Sequence, residues 1–136
     1  MLNISQEVNT WSNNNLKNQI LNTFNKNIEV IGVEPFTSAV LSGEKAGAHG
    51  LQGIGAGFVP EVLDTGVYDR IIKVKDGEAY ALGRLLAKKE GILAGITSGA
   101  ALFAAVKVAK EKPGKTVVAL LPDTGDRYLS SDMFKE

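Results

Sequence analysis

Polar residues fill most of the first 27 positions, and apolar ones gather there at one place only. Leu16, Ile20, Leu21 and Phe24 fall at i, i+4, i+5 and i+8, one face of a short amphipathic helix in an otherwise Asn-rich arm centred on Asn13-Asn14-Asn15. From Ile28 the pattern changes. Ile28-Glu29-Val30-Ile31-Gly32-Val33 is a β-branched apolar run closed by Glu34-Pro35, which predicts a buried strand. Glycines at 43, 47, 50, 53, 55 and 57 then crowd out regular structure and predict a loop. Phe58 to Leu63 predicts a short helix, and Arg70-Ile71-Ile72-Lys73-Val74 a second strand.

Helical spacing returns after Lys75. Asp76 suits an N-cap with Glu78 in the first turn, Ala79, Leu82, Leu85 and Leu86 form the buried stripe, Lys88 and Lys89 sit at the negative end, and Gly91 stops the helix. Ile92-Leu93-Ala94 reads as a brief strand-like run, and a second helix is expected from about Ser98 to Lys110, ended by Pro113-Gly114. Thr116 to Leu121 is continuously apolar, as a central parallel strand covered on both faces would be. Tyr128 to Phe134 predicts a short closing helix. Strands alternating with helices give an α/β fold class: a partial open parallel sheet with helices on both faces. Two regions follow, a divergent Asn-rich segment over 1–27 and the α/β region over 28–136.

Composition narrows the function classes. Fifteen Lys plus Arg balance fifteen Asp plus Glu, so no basic surface points to nucleic acid. The absence of cysteine removes disulfides, thiolate metal sites and a thiol nucleophile. No apolar run reaches the roughly 20 residues a membrane span needs, and the N-terminus lacks the pattern of a secretory signal, so the expectation is a cytoplasmic protein.

Candidate chemistry lies in three segments. Gly95-Ile96-Thr97-Ser98-Gly99-Ala100-Ala101 puts small residues and two hydroxyls at a helix start, where free N–H groups and partial positive charge favour a ligand. A plain hydroxyl N-cap explains one of those hydroxyls but not both flanking glycines. Pro122-Asp123-Thr124-Gly125-Asp126-Arg127-Tyr128 follows the predicted central strand, at the end of a parallel sheet where ligands collect; a simple turn capped by Asp126 is the other reading. Gln52-Gly53-Ile54-Gly55-Ala56-Gly57-Phe58 has the spacing Gly-x-Gly-x-Gly, not the Gly-x-Gly-x-x-Gly of a dinucleotide loop. His49, the only histidine, reads as an exposed loop residue.

Taken together, four stretches resemble the cysteine synthases (O-acetylserine sulfhydrylases) of the tryptophan-synthase-β-like, pyridoxal-phosphate (PLP)-dependent family. They are Val30 to Pro35, Gln52 to Pro60, Glu90 to Ala101 and Leu121 to Ser130. The resemblance implies the C-terminal part of a fold-type II PLP enzyme and a reaction in which O-acetylserine loses acetate, through an aminoacrylate, and sulfide adds to give cysteine. It also implies that Thr97, Ser98, Pro122 and Asp123 bind the cofactor, with the Thr97 hydroxyl on the pyridine nitrogen where the family usually has serine. A neutral hydroxyl at that nitrogen suits elimination of a β-substituent. Gly53, Gly55, Ala56, Gly57 and Phe58 would line the entrance, where the family accepts the C-terminal tail of serine acetyltransferase. A cystathionine synthase or threonine dehydratase is a further alternative, opposed by the match over Gly53 to Pro60.

The family's Schiff-base lysine, its substrate-carboxylate loop and its Gly-Thr-Gly-Gly-Thr phosphate loop have no counterpart in these residues. The expectation is therefore a truncated chain with weak hold on PLP and no synthase activity alone. Its expected companions are an acetyltransferase tail, a second copy, or a missing N-terminal half supplied in trans.

Overall fold

The computed structural model describes residues 27–61 and 63–135; the predicted helix around Leu16 to Phe24 lies outside them. Strand β1 (Ile31–Pro35) is wholly buried and pairs in parallel with β2 (Arg70–Val74), Ile31 opposite Arg70 and Pro35 opposite Val74. The first strand thus starts three residues later than its apolar run and takes in Glu34 and Pro35. Glu34 tolerates burial because its carboxylate is fully used: it accepts from the Leu41 N–H at 2.9 Å and from the Ser42 hydroxyl. Those bonds fasten a one-turn 3₁₀ helix (Val40–Ser42) to the strand.

The connection between the strands carries the glycines. Leu51 and Ile54 drop into the core at 0% and 3% exposure, so this loop is anchored at two points. The Gly50 N–H donates to Asp76 at 2.6 Å, and its carbonyl accepts from the Tyr80 hydroxyl at 3.1 Å. Burial, with Asp76 nearby, raises the Tyr80 phenol above its ordinary range, so it remains a donor. Among the described residues of 58–63 no helix forms. The Leu63 N–H reaches the Pro60 carbonyl at 3.0 Å in a turn.

Helix α1 (Asp76–Glu90) is capped by Lys75, whose N–H donates to Glu78 at 2.8 Å. Asp76, expected as the cap, is the first helical residue and serves the glycine loop instead. Ala79, Gly83 and Leu86 make its buried stripe, while Leu85 stays 47% exposed. Gly91 ends the helix in the left-handed conformation at φ 69°. Helix α2 (Ile96–Glu111) is buried all round for its first six residues and packs against α1 and both strands. The helices meet through glycine: a Cβ on Gly99 would come 2.3 Å from the Ala79 carbonyl oxygen.

Residues 116–121 form no strand among the described residues. Burial alternates, with Val117, Ala119 and Leu121 turned partly inward, but Val118 is 66% and Leu120 38% exposed. An extended segment becomes a strand only where a neighbour supplies the ladder, and none of the described strands pairs with it, although Val117 packs against the core. The expected closing helix reduces to a 3₁₀ turn (Asp126–Tyr128) and further turns, with Met133 at 0% exposure and the Arg84 guanidinium donating to its carbonyl at 2.7 Å.

Candidate functional site

A cleft of about 190 Å³ opens between the glycine loop, the start of α2 and the residues after 121. Gly53, Thr97, Pro122, Asp123, Thr124, Arg127 and Tyr128 line it. Each contributor is placed by a local necessity. Gly53 holds φ at +101°, and a Cβ there would stand 3.0 Å from Thr97 Cγ2, so glycine keeps the loop backbone against the helix. Gly95 is equally constrained, because a Cβ would meet the Asp123 carboxylate at 2.2 Å. Thr97 is the second residue of α2, at 2% exposure.

The far wall is fixed by Asp123. Its carboxylate accepts from the Ser98 N–H at 2.8 Å and the Thr97 N–H at 3.2 Å, and from the Ser98 hydroxyl. The Gly95 N–H donates to the Asp123 carbonyl at 3.0 Å, and Ala94 and Thr124 form an antiparallel bridge. Asp123 is therefore an N-cap delivered from another part of the chain. The free helix-start N–H groups expected for a ligand are taken, and the negative charge set among them repels a phosphate.

The structure thus brings Thr97, Pro122, Asp123 and Gly53 to one cleft. Ser98, at 0% exposure, faces Asp123. Gly55, Ala56, Gly57 and Phe58 lie further along the loop and outside the lining, with Phe58 62% exposed. His49 is not a plain surface residue: its Nε2 donates to the Gly55 carbonyl at 2.9 Å, and its Nδ1 is buried. It braces the loop. Thr124, Arg127 and Tyr128, all within the candidate segment Pro122 to Tyr128, join the lining, Thr124 where the resemblance puts a residue flanking the cofactor ring. Their position directly after Asp123 was the available signal.

Residues 17–123 match the sequence profile of the pyridoxal-phosphate dependent enzymes. The chain belongs to this family. It is 55% identical over 109 residues to a cysteine synthase of Staphylococcus aureus, covering 79% of this chain and 35% of that protein. A cysteine synthase structure from Entamoeba histolytica superposes with a TM-score of 0.81 at 46% identity, over 85% of this chain and 35% of the other. An O-acetylserine dependent cystathionine beta-synthase from Helicobacter pylori gives 0.70 at 43% identity, over 79% and 35%. The chain spans about a third of the length of the relatives it matches. Membership of the PLP family bears out the family and the fold class read from the four motifs.

The residues of the cleft fit one end of PLP. Glycine at 53 puts bare backbone on one wall of the cleft, with a hydroxyl-bearing residue, Thr97, beside it. Among the described residues no lysine lines the cleft.

Proposed function

We propose that this chain forms the ring-nitrogen half of a cysteine-synthase-type site. In this reading Thr97 meets the pyridine nitrogen, Pro122 and Gly53 flank the ring, and the Ser98–Asp123 pair holds Thr97 in place. The observation that carries it is the convergence of Gly53, Thr97 and the Pro122-to-Tyr128 segment on one cleft of suitable size. When bound, PLP supplies the electron sink that lets a β-substituent leave. A hydroxyl facing the ring nitrogen neither donates a full charge nor removes one, which suits exchange of acetate in O-acetylserine for sulfide.

The same reading makes the chain inactive by itself. Covalent capture of an aldehyde and the proton transfers that follow need an amine at the reacting carbon, and the described lining offers none. A second reading, a binding module for an acetyltransferase tail, is favoured by the outward Phe58 and Val59 at 62% and 43% exposure on the entrance loop.

One sample tests both. The purified chain is mixed with PLP, then O-acetylserine and sulfide, and its absorption and cysteine output are followed. The expected result is the spectrum of free PLP and no cysteine above the blank. A shifted band that responds to O-acetylserine, with cysteine formed, would mean that one of the chain's own lysines does the chemistry. Calorimetric titration of a serine acetyltransferase tail peptide into the same sample reads the second function, and the absence of binding heat overturns it.

A further inference from the structure

The glycine loop that forms one wall of the cleft is held at its root by α1. Both backbone groups of Gly50 are taken by side chains of that helix: Asp76 accepts its N–H at 2.6 Å, and the Tyr80 hydroxyl donates to its carbonyl at 3.1 Å. Asp76 and Tyr80 are at i and i+4 on one face of α1, so they close on the loop together. The same carbonyl accepts the Gln52 N–H at 3.0 Å, which turns the chain directly after the grip. Glycine at 50 is what admits this arrangement. A Cβ there would lie 2.2 Å from Tyr80 Oη and 3.0 Å from the Asp76 carboxylate, and because Gly50 is not in the left-handed region the demand is one of space alone.

The grip is passed along the loop to Gly53. Buried Leu51 and Ile54 plug into the core on either side of Gln52-Gly53, and His49 Nε2 donates to the Gly55 carbonyl at 2.9 Å, closing residues 49–55 into a ring. Gly53 is thereby held so near α2 that a Cβ on it would come 3.0 Å from Thr97 Cγ2. We infer that Tyr80 and Asp76, neither of which lines the cleft, are positioning residues for it: acting through Gly50, they set how closely Gly53 stands to Thr97 and so how well the cleft holds a flat ring. The inference rests on the reading of that cleft as the seat of the cofactor ring. Loop geometry is therefore measured without ligand and affinity with one, and the two can fail apart.

The test is an NMR comparison of variants of the full chain. The nuclear Overhauser effect between the Gly53 Hα protons and the Thr97 γ-methyl reads the geometry. Pyridoxine 5′-phosphate, which carries the ring of PLP without the aldehyde that would react with lysines, reads the affinity through the Gly53 and Thr97 amides. Tyr80→Phe removes only the hydroxyl; it should weaken the Overhauser effect and raise the probe's dissociation constant by about 3–10-fold. Asp76→Ala should do the same, and Asp76→Asn, which keeps an acceptor oxygen, should restore most of the loss. Gly50→Ala drives a methyl against Tyr80 Oη and should cost about 10-fold or more. Combined with Tyr80→Phe, the nearest ring atom is Cζ at 3.4 Å, an ordinary contact, so the double variant should bind the probe as well as Tyr80→Phe alone. Arg84→Met breaks a different bond of α1, the one to the Met133 carbonyl, and should move neither readout. The amide spectrum shows that each variant is folded. Tyr80→Phe with an unchanged Overhauser effect and affinity overturns the proposal, as does a loss no larger than that of Arg84→Met. A parent chain in which the probe shifts no cleft amide refutes the cofactor reading instead. The Overhauser effect then still decides the latch: its loss in Gly50→Ala and return in the double variant uphold it, and its persistence throughout overturns it.

Discussion

Asp123 does at one position what a local cap does elsewhere. Three donors from the start of α2, the N–H groups of Thr97 and Ser98 and the Ser98 hydroxyl, converge on a carboxylate 25 positions from Ser98 in the chain. Gly95 precedes the helix and has no side chain to cap it, so the acceptor has to come from outside. Asp123→Ala should cost about 1–2 kcal/mol by removing the cap, while the Ser98 hydroxyl keeps the residue 123 carbonyl, 3.1 Å away, as its acceptor. Asp123→Asn keeps one good acceptor oxygen and should cost about half as much. Urea denaturation of the purified variants reads both; a loss below about 0.5 kcal/mol for the alanine variant would show that water caps the helix equally well. The residue types of this site were legible in the sequence, because glycine, hydroxyl and post-strand motifs are local signals. The pairing of Ser98 with Asp123 was not, since nothing local reports a bond across 25 residues.

At the scale of elements, α1, α2 and both paired strands were legible, whereas the helices expected over 58–63 and 128–134 and the strand expected over 116–121 were not. The α1 stripe has helical spacing, a first-turn acid and a terminal glycine, so its residues Asp76–Glu90 follow from the sequence to within a position. Thr116 to Leu121 has the composition of a central strand, but the ladder that would make it one belongs to another element. The contact between α1 and α2 is likewise long-range, and glycine decides it. A Cβ at Gly99 would press on the backbone of Ala79 at 2.3 Å and of Gly83 at 3.3 Å, and backbone cannot turn aside. A Cβ at Gly83 would meet chiefly the Met133 methyl at 1.9 Å, the mobile end of a flexible side chain. Gly99→Ala is therefore expected to lose about 3 kcal/mol by forcing the helices apart. Gly83→Ala should come close to neutral, as Met133 repacks and helix propensity gains up to about 1 kcal/mol. Thermal melts of the two variants side by side measure the difference, and equal losses would refute the backbone argument.

Across the whole molecule, one set of charges joins segments far apart in sequence. Glu29, just before β1, pairs with Lys112 at the end of α2, and its other oxygen lies 3.0 Å from Arg70 Nε at the start of β2, an ion contact without hydrogen-bond alignment. Arg70 in turn donates to Glu111 at 2.7 Å. Formal neutrality of the sequence hid this arrangement, because composition counts charges without locating them. The Lys112 hydrogen bond, followed by the positive charges of Lys112 and Arg70, holds the Glu29 carboxyl below its ordinary value of 4.5 against an opposing effect of burial. A carboxyl depressed in the folded state binds its proton more readily when unfolded. Its stabilising effect is thus complete above about pH 4.5–5 and disappears as pH falls through the folded value. With the Glu29 side chain 28% exposed, solvent screens the pairs and their combined worth stays at about 1 kcal/mol or less. Glu29→Gln should lower stability at pH 7 by that small amount, and the gap between variant and parent should close on acidification toward pH 3. It should also narrow at pH 7 when salt is raised to about 1 M, where the screening length shrinks to about 3 Å. Urea midpoints at the two pH values and two salt concentrations decide it, and a gap that persists at pH 3 would assign the loss to packing of the Glu29 side chain instead of its charge.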